Sequence, residues 1–291
     1  MQTAMQLLVT TLQISAVYIL FSLGLTLVFG VLRVVNFAHG HFFAVSSLLV
    51  GLLVPIIVAT GINMHAAYLI AAATGILGSL LLALIVYKFG VSRFLRDLEG
   101  GFILTMGIAL VLDGAFLQVF GGAVRSMPPI IEGNTSILGA VLTTQRFVLC
   151  VIAALMTGAL YWTLAATKLG KALRAVAADR EAAMLQGIPY NRLALVGFLL
   201  AALMAAVAGV LIAPVSIVTP TMGTDYLMKS FVAVVMGGLG SLPGAILGAL
   251  IISVIEAVGG YFFDASTATI AMFVLVIVIL VFRPKGLIPH A

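Results

Sequence analysis

Two long stretches without a formal charge occupy the first third of the chain. Residues 1–32 contain no Asp, Glu, Lys or Arg, and residues 34–87 contain only the neutral His39, His41 and His65. A helix needs about 20 apolar residues to cross roughly 30 Å of hydrocarbon. Because apolar and polar residues do not alternate here, both stretches predict membrane-spanning helices rather than strands of a barrel.

The composition extends this prediction to the whole chain. Of the 291 residues, 63% are hydrophobic and 8% are charged, whereas about a quarter of a soluble domain is charged. We therefore predict an all-α integral membrane protein, with residues 1–291 forming a single transmembrane domain of about eight spans. The expected spans are 5–30, 42–60, 66–87, 102–120, 147–166, 193–213 and 268–282, plus a broken apolar stretch at 226–264.

The basic residues predict how the chain is oriented, since short inner loops are enriched in Lys and Arg. With the N-terminus outside and the C-terminus inside, only Arg125, Arg146 and Lys229 lie outside or within the membrane. The net charge of +5 thus indicates topology and not a nucleic-acid partner. The inner loops then hold 11 of the 14 basic residues: Arg33, Lys88, Arg93, Arg96, Lys168, Lys171, Arg174, Arg180, Arg192, Arg283 and Lys285.

The longest inner loop, residues 167–192, is expected to be helical. Gly187 favours a stop, Pro189 prevents continuation, and Asn191 can cap the next span. A solvated connecting helix is one interpretation of this loop. Lys168 to Gln186 predicts an amphipathic helix whose apolar side carries Leu169, Leu173, Val176 and Ala177.

A few polar residues are predicted at membrane depth. Asp113 and Glu256 each lie inside an apolar run, where an ionisable group costs about 3 kcal/mol and needs a partner or a wet cavity. They line a pathway or form hydrogen bonds between helices, and the sequence leaves both open. Asn36 is expected to cap the second span, with His39 in its first turn; a capped helix start is the simpler interpretation of that pair.

Small residues lie within and just after the interruption of the stretch at 226–264. The interruption reads Gly-Gly-Leu-Gly-Ser-Leu-Pro-Gly over residues 237–244, and it favours either two short spans or a pair of half-helices. Gly240, Gly244 and Gly248 recur every fourth residue, which permits close helix packing. Discontinuous helices also build substrate sites in transporters, so packing and pathway remain alternatives.

Enzyme and cofactor signatures are missing from the sequence. There is no P-loop, no His-Glu-x-x-His and no Gly-x-Ser-x-Gly motif. The single cysteine, Cys150, sits in an apolar run and predicts a small buried residue. We expect no catalytic residues, no metal site and no cofactor.

Four segments carry a resemblance to a known family. They are Arg33–Gly40 with its Asn-Phe-Ala-His-Gly, Glu181–Gly187, Phe231–Ala245 and Arg283–Leu287. Spread over most of the chain, they resemble the permease subunits of ATP-binding-cassette importers for branched-chain amino acids. One departure is Gly197-Phe-Leu-Leu, where the wider importer motif has Ile-x-Leu-Pro.

The resemblance implies a role for the inner loop and for the polar and glycine-rich segments. In such importers a short helix of this loop docks into the cytoplasmic ATPase, and the matching positions are Glu181, Ala182, Ala183 and Gly187. We expect the translocation pathway or the helix packing beside it to involve Asn36, His39, Gly40, Asp113, Gly237, Gly238, Gly240, Pro243, Gly244 and Glu256.

The resemblance also implies partners. They are a second permease subunit in a heterodimer, two cytoplasmic ATP-binding subunits, a periplasmic substrate-binding protein and the lipid bilayer of a bacterial inner membrane. Leucine, isoleucine and valine are the first expected substrates; urea, short amides and other amino acids are alternatives. A stand-alone secondary transporter or channel is the alternative from another class, with Asp113 and Glu256 as its ion-coupling groups.

Overall fold

A computed structural model describes residues 2–95, 97–137 and 140–288 of the chain. Arg96, which the charge pattern assigns to an inner loop, lies outside these ranges. A short 3₁₀ helix, Val91–Arg93, precedes α4. The principal elements are α1 Gln2–Leu32, α2 His39–Ala59, α3 Met64–Phe89, α4 Leu98–Phe120, β1 Asn134–Ile137, β2 Ala140–Thr143, α5 Thr144–Ala166, α6 Lys168–Ala178, α7 Arg180–Leu185, α8 Tyr190–Ile212, α9 Met222–Gly237, α10 Leu242–Phe262 and α11 Ala265–Phe282.

Eight of these helices, all except α6, α7 and α9, are long and apolar enough to cross a membrane. This confirms the predicted helical bundle, and the chain is a multi-pass membrane protein. We call the side on which α1 begins the N-face and the side on which α1 ends the C-face. The antiparallel strands β1 and β2 lie in the loop before α5.

Helices α1 and α8 form the centre of the bundle. Among the 18 most apolar consecutive residues of each helix, 78% are buried in α1 and 67% in α8. The corresponding values are 11% for α4 and 17% for α11. Small residues allow this density: a Cβ added at Gly209 of α8 would collide with the carbonyl of Phe43. The largest fully buried side chains are Phe21, Phe42, Phe43 and Phe198.

Helix α3 packs on α2 through a stripe of small residues. At the middle of this stripe, a Cβ added at Gly75 would come within 2.8 Å of the carbonyl oxygen of Ser46. Small side chains at every fourth position put one flat face of the helix against its neighbour. The buried stripe consists of Ala67, Ala71, Gly75, Ser79 and Ala83.

The single helix predicted over Lys168–Gln186 is wrong, because the structure has two helices there. Asp179 has an extended backbone (φ −147°, ψ 110°), and its side chain accepts hydrogen bonds from the N–H groups of Glu181 and Ala182. An aspartate that caps a new helix in this way ends the previous one. The predicted stop is confirmed: Gly187 has φ +80°, the left-handed conformation that favours glycine.

Two predicted caps are also wrong. Helix α8 begins at Tyr190 after Pro189, so Asn191 lies inside it. The residue before α2 is Ala38, which makes no side-chain cap. Asn36 instead accepts a hydrogen bond from the N–H of Ala38 at 3.1 Å, a local turn that short polar side chains favour.

The interrupted stretch at 226–264 consists of two antiparallel helices. Helix α9 has 16 residues and α10 has 21, and Ser241 caps α10 by accepting from the N–H of Gly244 at 3.2 Å. Pro243 lies in the first turn of α10, where a missing N–H costs nothing. The glycine-rich interruption is therefore the turn of a hairpin on the C-face.

Candidate functional site

The segment between α1 and α2 runs back into the bundle. A Cβ added at Gly24 of α1 would lie 3.0 Å from the ring of His39, and Gly24 precedes the end of α1 by eight residues, roughly 12 Å of helix. On the other side, the hydroxyl of Thr105 in α4 donates to the carbonyl of Val35 at 3.2 Å. Helix α2 therefore begins inside the bundle rather than at the C-face.

His39 is fully buried among aromatic rings. Its ring meets Phe21 edge to face at 4.9 Å between centroids and Phe42 at 6.1 Å. Neither ring nitrogen has a hydrogen-bond partner among the described residues. Since an unpaired buried polar group is costly, the His39 ring is an energetically unfavourable feature where α1 packs against α2.

Asp113 is held by groups from two other helices. His41 Nε2 of α2 lies 3.0 Å from Asp113 Oδ1, and the hydroxyl of Thr224 in α9 lies 3.4 Å from the same oxygen. The carboxylate keeps 27% of its side-chain surface exposed. Because α4 is otherwise little buried, this polar cluster is a principal attachment of α4 to the bundle.

Gly40 and Gly223 form the crossing of two helix starts. A Cβ added at Gly223 would come within 2.8 Å of the carbonyl carbon of Gly40. A Cβ added at Gly40 would come within the same distance of the carbonyl carbon of Gly223. Helix α9 therefore begins beside the first turn of α2, inside the bundle. Two helices that start at membrane depth are typical of transporter cores.

The hairpin turn between α9 and α10 is packed without space for side chains. A Cβ on Gly237 would collide with the carbonyl of Gly244, and one on Gly244 would collide with the carbonyl of Gly237. Gly238 and Gly240 have φ of +116° and +84°. The segment after α11 closes the turn, because the N–H groups of Leu287 and Ile288 donate to Met236 and Gly237 at 2.9 Å.

The sequence-predicted residues thus fall into three separate places. Asn36, His39 and Gly40 lie at the start of α2, with Asp113 bound to that helix through His41. The glycines of 237–244 and Pro243 lie in the hairpin turn on the C-face. Glu256 lies elsewhere, two-thirds of the way along α10.

Glu256 belongs to a polar cluster near the N-face. Lys229 of α9 donates to its Oε1 at 2.7 Å, and the hydroxyl of Tyr18 in α1 donates to its Oε2 at 2.6 Å. Tyr226 contacts the Tyr18 ring at 5.6 Å between centroids. These contacts neutralise the carboxylate and join α1, α9 and α10 at one level.

A cavity of about 260 Å³ opens beside this cluster, between α1, α5, α8, α9 and α10. Glu256 precedes the end of α10 by six residues, roughly 9 Å of helix, so the cavity lies in the half of the bundle nearer the N-face. Polar walls carry Tyr18, Arg146 and Glu256 among other groups. The apolar walls are Ile14, Val17, Leu149, Ile212 and Val215.

Two larger hollows lie on the surface of the chain. One, of about 700 Å³, is an apolar groove along α1 and α5 that includes Cys150 and Trp162. The other, of about 1020 Å³, is polar and lies on the C-face beside Arg33, Asp179 and Glu181. The first borders the lipid-exposed side of α5, whereas the second borders the loop helices α6 and α7.

Helix α7 is held firmly against the bundle. Arg180 donates to the carbonyl of Leu95 at 2.7 Å, and its guanidinium lies 4.0 Å from the ring centroid of Tyr190. Arg33 donates to the carbonyl of Ala178 at 3.3 Å. Three segments of the C-face therefore converge on this loop.

The residues expected at the ATPase contact do not all lie on the exposed side of α7. Ala183 is 5% exposed and packs inward, while Glu181 and Ala182 are exposed. Leu185 is 87% exposed, the highest value among the large hydrophobic residues described. Single exposed apolar residues are normal on a protein surface, so what distinguishes Leu185 is its place beside the exposed Met184 on a helix held outside the spans.

Comparisons with known proteins show the family of this chain. A family model for the permease component of the branched-chain amino acid transport system matches residues 7–282. The chain belongs to this family. Its permease relatives include BraD of Pseudomonas aeruginosa, at 29% identity over 98% of this chain and 95% of that protein.

Further relatives of this permease family are the LivH proteins of Salmonella typhimurium and Escherichia coli. They are 30% and 29% identical, each over 94% of this chain and 92% of the relative. All three relatives are named as high-affinity branched-chain amino acid transport system permease proteins. Among solved structures, PsaBC from Streptococcus pneumoniae aligns over 94% of this chain and 91% of that chain at 18% identity, with a TM-score of 0.47.

Several residues of this permease were not predicted from the sequence. Tyr18, Lys229 and His41 supply the partners of Asp113 and Glu256, two partly buried acids, and their positions in apolar runs were the available signal. Asp225, in the first turn of α9, is exposed and forms no hydrogen bond or ion pair with the residues described. Within the described ranges, no group of three or more His, Cys, Asp or Glu could hold a metal ion.

Proposed function

We propose that this chain is the membrane-spanning permease subunit of a bacterial inner-membrane importer for leucine, isoleucine and valine. Family membership along nearly the whole chain supports this proposal, as does the similarity to the branched-chain amino acid permease proteins BraD and LivH. ATP is hydrolysed on two separate cytoplasmic subunits, and the chain itself carries out no chemical reaction. A second permease subunit and a periplasmic binding protein complete the importer.

The observation that carries the coupling proposal is the exposed Leu185 on a rigidly attached helix. Asp179 caps α7, Arg180 fixes it to Leu95, and Gly187 turns the chain back. A short helix that presents an apolar side chain fits a hydrophobic groove on a partner. We infer that α7 docks on an ATPase subunit through Leu185, with Glu181 and Ala182 at the edge of the contact.

The orientation proposal follows from the same face. The described basic residues cluster at the C-face ends of the spans and in α6 and α7, and basic loops remain in the cytoplasm. The C-face is therefore cytoplasmic in this proposal, where the ATPase subunits are found. The N-face, with Arg125 and Arg146, meets the binding protein.

The docking proposal is tested by truncating Leu185. In the Leu185→Ala variant of the reconstituted importer, we expect ATPase subunits to dissociate during purification and leucine uptake to fall about tenfold or more, since a central apolar anchor contributes about 2 kcal/mol. Gly187→Asp is expected to act in the same direction, because a β-carbon in the left-handed conformation costs about 1 kcal/mol.

The matched control for this test is Leu110→Ala. Leu110 is 68% exposed on α4, so the same side chain is lost from a surface away from α7. Normal ATPase retention and uptake in Leu185→Ala would show that α7 is not the docking element. Absence of leucine, isoleucine and valine uptake by the unmodified complex would instead contradict the proposed function.

A further inference from the structure

We propose that the 260 Å³ cavity near the N-face binds the substrate as a zwitterionic α-amino acid with an apolar side chain. Glu256 receives the ammonium group, Arg146 receives the carboxylate, and the apolar walls receive the side chain. This inference rests on the proposed function, because it assigns that function's substrate class to one site within this subunit.

Glu256 retains the capacity to bind an ammonium group. A carboxylate has about four acceptor sites, and two are used, by Lys229 and Tyr18. Lys229 approaches from the side away from the cavity, where it and Glu256 line a separate small void with Met272. The carboxylate therefore faces the cavity with its remaining acceptors, and Lys229 lies behind it.

Arg146 supplies the opposite charge at the other end of the cavity. It lies in the first turn of α5, and its Nη1 donates to Gln13 Oε1 of α1 at 3.1 Å. A guanidinium has five donors arranged as a planar fork, so most remain free to bind a carboxylate. This pairing of Arg with carboxylate is a strong, charge-assisted one.

The two charged groups line one cavity and are bound to successive turns of α1. Arg146 is bound at Gln13 and Glu256 at Tyr18, and five residues along α1 correspond to roughly 7.5 Å. An α-amino acid places about 2.5 Å between its nitrogen and carboxyl carbon. With a hydrogen bond of about 2.9 Å at each end, such a ligand needs two charged groups on one cavity, and Arg146 and Glu256 both line this one.

The remaining walls fit a small branched side chain. Ile14, Val17, Leu149 and Ile212 surround the space between the charged ends. Ligand sites commonly combine an apolar lining with a few placed polar groups, and span about 300–1,000 Å³. A cavity slightly below this range favours a small ligand over a bulky one.

The test measures protection of a reporter cysteine in the complete importer. In a Cys150→Ser background, Ile14→Cys is labelled with a maleimide with and without L-leucine. At leucine ten times above its dissociation constant, labelling should slow about elevenfold, since the fraction of free sites is 1/(1 + [L]/Kd). Ala154→Cys, in the groove outside the cavity, should show no protection.

Ligand analogues and charge variants decide what is recognised. 4-Methylpentanoate lacks the ammonium group and 3-methylbutylamine lacks the carboxylate, so neither should protect. Glu256→Gln and Arg146→Gln should each weaken protection by about tenfold or more, the loss expected for a hydrogen bond to a charged group. Lys229→Gln breaks the same ion pair but keeps the carboxylate, and it should retain protection.

Several results would overturn the proposal. One is leucine transport by the complex without protection of Ile14→Cys; another is equal protection by 4-methylpentanoate. Equal loss in Lys229→Gln and Glu256→Gln would make Glu256 a structural residue. If Ile14→Cys does not assemble, Val215→Cys on another wall carries the same test. A complex that transports no branched-chain amino acid would refute the proposed function instead.

Discussion

The close approach of α9 and α10 yields a sharp prediction at Gly248. A Cβ added there would collide with the carbonyl oxygen of Ala233 and lie 2.8 Å from its carbonyl carbon. The obstacle is backbone, which cannot rotate away as a side chain can. Gly248→Ala must therefore push the two helices apart over this part of the hairpin.

The magnitude follows from comparing Gly248 with Gly260 in the same helix. A Cβ at Gly260 meets nothing within 4 Å. Both substitutions gain the helix propensity of alanine over glycine, up to about 1 kcal/mol, so this gain cancels in the comparison. The remaining difference is the overpacking at Gly248, about 1–3 kcal/mol.

The assay is thermal unfolding of the purified chain in detergent. The quantity measured is the fraction of protein that stays monodisperse at each temperature. We expect the midpoint of Gly248→Ala to lie several degrees below that of Gly260→Ala. Equal midpoints would show that the hairpin relaxes without cost. A midpoint of Gly248→Ala above that of Gly260→Ala would refute the packing argument.

Three further predictions concern groups near the ends of helices. Hydrogen bonds from Thr267 lower the pKa of Asp264, the cap of α11. The ionised cap therefore stabilises the fold above the ordinary carboxyl range, and this stabilisation is lost as the pH falls through the lowered pKa. Asp264→Ala should remove this pH dependence of the unfolding midpoint, and an unchanged dependence would contradict the prediction. A phosphatase or fluorescent reporter fused after Lys285 should report the cytoplasm, and a periplasmic signal would reverse the orientation. Asp225→Asn should lower uptake while assembly stays intact, because an exposed carboxylate at membrane depth is tolerated where it faces water or a partner. Unchanged uptake would place Asp225 against lipid.

The spans were predictable from the sequence because lipid imposes a single rule. A run of apolar residues long enough to cross must be helical, and every predicted span contains most of a helix that the structure shows. Gly187 was equally predictable, since a glycine followed by a proline two residues later determines the local backbone. These signals depend on neighbours in sequence alone.

Long-range partners could not be predicted in this way. His41 meets Asp113 across 72 residues and Tyr18 meets Glu256 across 238. The sequence indicated that each buried acid needs a partner, but many polar residues could have served. The burial of Ala183 and the exposure of Leu185 likewise depend on how α7 lies against the C-face.

The break at Asp179 shows the limit of periodic patterns. Apolar residues continue at helical spacing from Leu169 into the second helix, so the pattern predicts one helix. The aspartate side chain competes by capping the N–H groups that follow it. A single hydrogen-bonding side chain can therefore end a helix without changing the spacing of the apolar residues in the sequence.

The charges of α9 bear on how this protein enters its membrane during synthesis. With 16 residues and with Lys229 near its centre, α9 is a poor substrate for insertion alone, since a charge near a helix centre adds about 3 kcal/mol on insertion scales. Glu256 neutralises Lys229 only once α10 has been made. We therefore expect α9 and α10 to enter the membrane together as a hairpin, because only then is the charge of Lys229 paired with Glu256.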